Sequence, residues 1–143
     1  MDDLESLLAL YKHLNPEDDP APSSEIVKDV WSDLISSNHF TYYGGFVDSD
    51  LISSCTLAAI PNLTRACSSY GLIENVVTHE EHRRRGYATT LLASVLEDAW
   101  TAGCYKVMLL TGHKDTGTRQ FYEQAGFDSQ AKVAFEARPP NSQ

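Results

Sequence analysis

The sequence predicts an α/β fold, a mixed sheet carrying helices on its faces. Three observations carry that expectation. Two helical patterns come first, three β-rich runs follow, and the chain then alternates helix, strand, helix, strand. The early runs are close enough in sequence to form an antiparallel hairpin, whereas the later alternation needs crossover connections. At 143 residues, one compact domain spanning the whole chain is expected.

Taken in order, Leu4, Leu7, Leu8, Tyr11 and Leu14 recur at helical spacing until Asn15-Pro16 ends the pattern. Residues 17–22, with two prolines and three acids, form a linker. A second helix is expected from Ser23 or Ser24 as cap to Ser36, with Ile26, Val30, Leu34 and either Trp31 or Ile35 facing inward. Residues 39–47 and 51–60 are rich in aromatic and β-branched types and flank a turn at Asp48-Ser49-Asp50, which predicts a hairpin. Residues 61–69 read as a loop, and residues 70–78 as a strand that can bury Leu72, Ile73, Val76 and Val77. From 86 to 102, Ala88, Leu91, Leu92, Val95, Leu96 and Ala99 share one helical face, and Gly103 suits a left-handed stop. A short apolar strand at 105–111, a helix at 116–124 ended by Gly126, a last strand at 131–137 and a frayed tail at 138–143 complete the expectation.

Composition narrows the function. Eleven basic residues against twenty acidic ones give a net charge of −9, which repels a polyphosphate backbone and argues against a nucleic-acid partner. Acids near Met1 stand where a secretory signal carries lysines, and no run is long and apolar enough for a bilayer, so a cytoplasmic protein without membrane contact is expected. Cys55, Cys67 and Cys104 lack metal spacing and read as buried free thiols. In His79-Glu80-Glu81-His82 the histidines are three apart and sit beside three arginines, which opposes a metal cation, so no metal is expected. Thr78 and Glu81 there more simply resemble a helix cap. The glycines of Gly112-His113-Lys114-Asp115-Thr116-Gly117 have the spacing of a nucleotide-binding loop, but Thr118-Arg119 replaces the Lys-Ser/Thr pair that chemistry requires.

Against the acidic background one basic turn stands out: Arg83-Arg84-Arg85-Gly86-Tyr87-Ala88 joins a buried strand to the start of the best-defined helix. A strand-turn-helix junction aims free backbone N–H groups and the positive end of the helix dipole in one direction, a geometry that holds a diphosphate. Small residues at 86 and 88 let phosphate oxygens reach those amides, and an arginine adds donors at the rim. Taken alone, the turn is equally compatible with a solvated basic helix start.

Arg-x-x-Gly-x-Ala resembles the (Gln/Arg)-x-x-Gly-x-(Gly/Ala) pattern with which GNAT N-acetyltransferases bind the coenzyme A pyrophosphate. The flanking Ile73-Glu74-Asn75-Val76-Val77 is similar to the strand before that turn, glucosamine-phosphate acetyltransferases included, and Phe121-Tyr122-Glu123-Gln124-Ala125-Gly126-Phe127 resembles their later helix. The resemblance implies a mostly antiparallel mixed sheet whose central strands splay, residues 75–78 parting from 105–111. It implies acetyl-CoA as co-substrate, held by Asn75, Val76, Val77, Arg83, Arg84, Arg85, Gly86, Tyr87, Ala88 and Thr89, with Asp115 and Thr118 at the later helix. Family members usually have a strand ahead of the first helix, so that strand is expected to be missing, truncated or replaced. They often carry Asn and Ala where this chain has Asp115 and Thr118, and Asp cannot donate as Asn does.

The implied reaction is acetyl transfer to a primary amine by direct attack in a ternary complex. Tyr122 matches the tyrosine that serves as general acid, with simple packing as the alternative; Glu74 is the candidate base, partly desolvated between strands, with a solvent-facing glutamate as the alternative. The acceptor is expected to be a small-molecule amine, with a protein lysine or N-terminus as alternatives, and family analogy allows a homodimer. The competing class is a noncatalytic acyl-CoA-binding sensor with the same fold. Arg65 can grip an acidic acceptor group or be an ordinary surface arginine.

Overall fold

The computed structural model describes residues 2–141, and its internal contacts divide the chain into two units after Leu109. The first unit opens with α1 (Asp2–Tyr11) and α2 (Ser24–Ser36), continues through β1 (Phe40–Val47), β2 (Asp50–Ile60), a single turn α3 (Thr64–Cys67) and β3 (Tyr70–Thr78), and closes with α4 (Tyr87–Thr101) and β4 (Val107–Leu109). The four strands lie in sequence order; β2 is antiparallel to both β1 and β3, and β4 joins β3 in parallel by way of α4. A parallel neighbour needs such a crossover, and the β3–α4–β4 segment supplies it. No helix among the described residues is long and apolar enough to cross a membrane.

Consecutive strand residues sort onto opposite faces. Tyr43 donates a hydrogen bond of 2.9 Å to Asp98 of α4, while its neighbour Tyr42 meets Trp31 of α2 edge-on at 4.8 Å between ring centroids. Helix α4 therefore covers one face, and α2 covers the other together with α1. The core lies on both sides of β2 and β3: Ile73 is 1% exposed, and Leu92, Val95 and Ala99 of α4 are fully buried. Ile73, Leu92 and Val95 each contribute about 1.5–3 kcal/mol by leaving water, and the Ala99 methyl less.

The α4 expectation agrees with the observed face, and Gly103 takes the left-handed stop at φ 86°. The first two helices turn differently. In α1 the buried residues are Leu4, Leu7 and Leu10, and the predicted Leu8 and Leu14 are exposed. In α2 the half-buried residues are Val27, Trp31 and Leu34, whereas Ile26, Val30 and Ile35 stay more than half exposed. Both helices bury an i, i+3 or i+4 stripe, but their many apolar positions leave the rotation to be chosen by the sheet. The loop at 61–69 winds into a turn in which Arg65, Ala66 and Cys67 all have positive φ. Cys55 and Cys104 are buried free thiols, but Cys67 is exposed, contrary to expectation.

In the second unit α5 (Thr116–Gln124) forms as predicted, followed by Gly126 at φ 103°. The predicted last strand does not form. Residues 131–137 are irregular and exposed, Val133 at 78% and Phe135 at 92%, because a strand needs a hydrogen-bonding neighbour that local alternation cannot provide. The expected frayed tail reaches Ser142 and Gln143, which lie outside the described residues.

Candidate active site

Strand β3 changes character halfway. Thr56 pairs with Glu74 and Ser54 with Val77, so Asn75 and Val76 together oppose Cys55: a β-bulge. Asn75 sits there at φ 55°, a left-handed conformation that asparagine tolerates better than most side chains. On the other side, the parallel ladder ends at Ile73 opposite Leu109, so residues 74–78 face no strand there among the described residues. The bulge and the ladder's end together leave main-chain groups of Asn75 and Val76 outside regular pairing, whereas Val77 pairs with Ser54 and its carbonyl accepts from Ser53 Oγ at 3.0 Å. Glu74 and Asn75 are exposed, Val76 is half-buried and Val77 is buried. Glu74 is therefore not desolvated between strands as expected.

From Thr78 the chain enters a 3-10 turn at Glu80–His82. His79 caps it, its Nδ1 accepting from Glu81 N at 3.1 Å, in place of the expected Thr78–Glu81 cap. Arg83 then donates from Nε to Thr78 O at 3.1 Å and from Nη2 to His13 O at 3.0 Å, fastening the turn to the end of α1. Its guanidinium is thus committed to protein carbonyls. Arg84 and Arg85 are exposed, with no ion pair or hydrogen bond among the described residues. Arg84 has φ 63° and Gly86 φ 83°, so the backbone reverses sharply before α4. Gly86 offers no side-chain cap, which leaves the amides of Tyr87, Ala88 and Thr89 without one. A Cβ at Gly86 would meet nothing within 4 Å, so the approach to those amides is open. These features fit an anionic diphosphate at the helix's positive end.

A third feature escaped the sequence reading. Register places Tyr42, Thr56 and Glu74 in one row across three strands, on the face covered by α1 and α2. Thr56 is 5% exposed, its hydroxyl buried beside the Tyr11 and Tyr42 phenols. Burial raises the pKa of the Tyr11 and Tyr42 phenols, and the nearby Thr56 hydroxyl partly offsets this for both; Asn75 does the same for Tyr11. The aromatic positions were visible in the sequence, but nothing in it fixed the register that aligns them with Glu74.

In the second unit Asp115 accepts from Thr118 N and from Thr118 Oγ1, each at 2.9 Å, and those bonds hold its carboxyl below the usual range. Asp115 and Thr118 together cap the start of α5. Tyr122 is half-buried, its ring 4.9 Å from Phe121 and 6.2 Å from Phe127 between centroids. Arg65 lies 5.7 Å over the Tyr105 ring, the packing of a surface arginine. No group of three or more His, Cys, Asp or Glu among the described residues has metal-holding geometry.

Comparison with known proteins agrees with this architecture. Residues 4–127 match the model of the acetyltransferase (GNAT) family. A solved structure from Agrobacterium tumefaciens, described as a candidate acetyltransferase, is 40% identical with a TM-score of 0.89, covering 96% of this chain and 94% of its own. The aminoglycoside N(6')-acetyltransferase type 1 of Serratia marcescens is 25% identical over 94% of this chain and 91% of its own. The glucosamine 6-phosphate N-acetyltransferase of Trypanosoma brucei brucei is 34% identical over 77 residues, which are 54% of this chain and 50% of that protein. With its mixed four-stranded sheet, bulged third strand and open helix start, the chain belongs to the GNAT family of acetyltransferases.

Proposed function

We propose that the protein transfers the acetyl group of acetyl-CoA to a primary amine by direct attack, without an acyl-enzyme. The observation that carries this reading is the continuity of the bulged, one-sided end of β3 with the uncapped start of α4. The amides of Gly86, Tyr87, Ala88 and Thr89 bind the pyrophosphate, Arg84 and Arg85 add charge at the rim, and Arg83 positions the turn. Main-chain groups of Asn75, Val76 and Val77 align the pantetheine arm, and an N–H freed by the bulge stabilises the oxyanion.

The neutral amine attacks the thioester carbonyl carbon, the carbonyl π pair moves to oxygen, its return expels the thiolate, and the nitrogen's surplus proton passes to water. Tyr122, by its match to the family pattern, gives the thiolate its proton and is reprotonated from solvent. Glu74, in water at the cleft edge, takes the proton from the incoming ammonium directly or through a water. Names of relatives that act on aminoglycosides and on glucosamine 6-phosphate support an amine acceptor.

The test is release of free thiol from acetyl-CoA on incubation with a panel of primary amines. Turnover is expected, and Tyr122→Phe should lower kcat by about 100-fold or more while leaving CoA affinity unchanged. Silence with every amine and no CoA binding would remove the proposal.

A further inference from the structure

The acceptor's chemical class is written on the α1/α2 face of the sheet. Between those helices lies an open pocket of about 120 Å³ whose lining includes Leu7, Tyr11, Val30, Trp31, Leu34 and Tyr42. No Asp, Glu, Lys or Arg lines it. Its volume approaches the ~150 Å³ of an apolar cavity that accepts a benzene ring. The polar atoms on this face are the phenols of Tyr11 and Tyr42, which line the pocket, and the buried Thr56 hydroxyl beside them. Tyr42 and Glu74 stand in one cross-strand row with Thr56 between them, two strand spacings or roughly 10 Å apart. The row that begins at the pocket's Tyr42 continues through the buried Thr56 to Glu74, next to the bulge at Asn75.

Such walls suit hydrocarbon. An aminosugar or polyamine placed there would leave its hydroxyls or further ammonium groups facing Leu7, Leu34 and Trp31 without partners. Trp31, edge-on to Tyr42 at 4.8 Å, provides the largest apolar wall. We infer that the acceptor is a primary amine carrying an apolar, ring-sized body, seated between α1 and α2 against Trp31 with its amine directed along Thr56 toward Glu74. The inference rests on the acetyl-transfer reading of the β3 end. It departs from the aminosugar acceptors that two relatives' names announce.

The experiment compares phenethylamine and isoamylamine with spermidine, glucosamine 6-phosphate and kanamycin at fixed acetyl-CoA. Lower KM, by about tenfold or more, is expected for the apolar amines. Val30→Glu, at a position more than half exposed and so compatible with folding, should raise KM for phenethylamine at least several-fold and leave CoA affinity unchanged. Trp31→Ala should do the same more strongly, with kcat at saturating amine little altered. Turnover that prefers the polar amines, or a phenethylamine KM indifferent to both variants, overturns the inference while leaving acetyl transfer standing. If chemistry is silent, equilibrium dialysis in the presence of CoA decides it. Saturable phenethylamine binding lost in Val30→Glu supports the inference, and saturable binding of glucosamine 6-phosphate alone overturns it.

Discussion

Within β3, residues 70–73 and residues 74–78 obey different rules. The first stretch pairs with β2 and, from Gly71, also with β4, and it buries Gly71 and Ile73. The second pairs with β2 alone, through a bulge, and exposes Glu74 and Asn75. Ile73, 1% exposed, stands two positions before the left-handed Asn75 and the edge that faces no strand on one side. The comparison teaches that the regular half supplies rigidity and the irregular half supplies unpaired donors, so substitutions in the two halves should fail in different assays.

The largest effect should come from the regular half. Ile73→Ala removes a fully packed side chain, and a loss of about 2–5 kcal/mol is expected in denaturant titration. Activity per folded molecule should change little; a large drop in kcat at full folding would break the division of labour.

Next comes the turn that the irregular half feeds. Gly86→Val places a β-branched residue at φ 83°, and its side chain enters the space the phosphates need. A CoA Kd raised by about 10–100-fold is expected from the loss of charge-assisted hydrogen bonds. The helix α4 should persist by circular dichroism. Smaller still is the effect at the bulge: Asn75→Gly keeps the left-handed geometry and should retain kcat/KM within about twofold, whereas Asn75→Val should lose about tenfold. Equal activity in the two variants would show that the bulge does not shape the oxyanion donor.

The smallest effect concerns pH. Burial pushes the Cys55 thiol from 9.0 up to about 12 and also raises the phenols of Tyr11, Tyr42 and Tyr43. Above pH 9 the unfolded chain loses protons that the folded chain retains, so stability is complete below about pH 9 and declines as pH approaches 12. Thermal melts across that window should show a steady fall in Tm. Cys55 should also resist alkylation at pH 8.5 as long as the protein is folded, whereas exposed Cys67 should react.

Much of this was legible in the sequence where the cause is local. The bounds of β3 at Tyr70 and Thr78 agree with the reading, and α4 differs by one residue at each end, since apolar period and glycine punctuation act within a turn or two. What stayed hidden depends on distant partners. The alternation at 131–137 is genuine, but strand formation requires a neighbour, which local pattern does not encode. The row from Tyr42 to Glu74 depends on irregularities near Gly45 and Asn75, and a one-residue slip of register flips every side chain to the other face. Three adjacent arginines look alike until the fold shows Arg83 donating to His13 O. The cap that Asp115 forms with Thr118 depends on side-chain geometry that residue types alone do not fix.

Acetyl transfer as proposed requires the open start of α4 to seat a nucleotide-linked diphosphate. Titrating desulfo-CoA into the protein in a calorimeter addresses it without any need for an acceptor. Saturable one-to-one heat in the micromolar range, weakened by Gly86→Val, is the expected result. A cooperatively melting protein that gives no heat at millimolar ligand would contradict it.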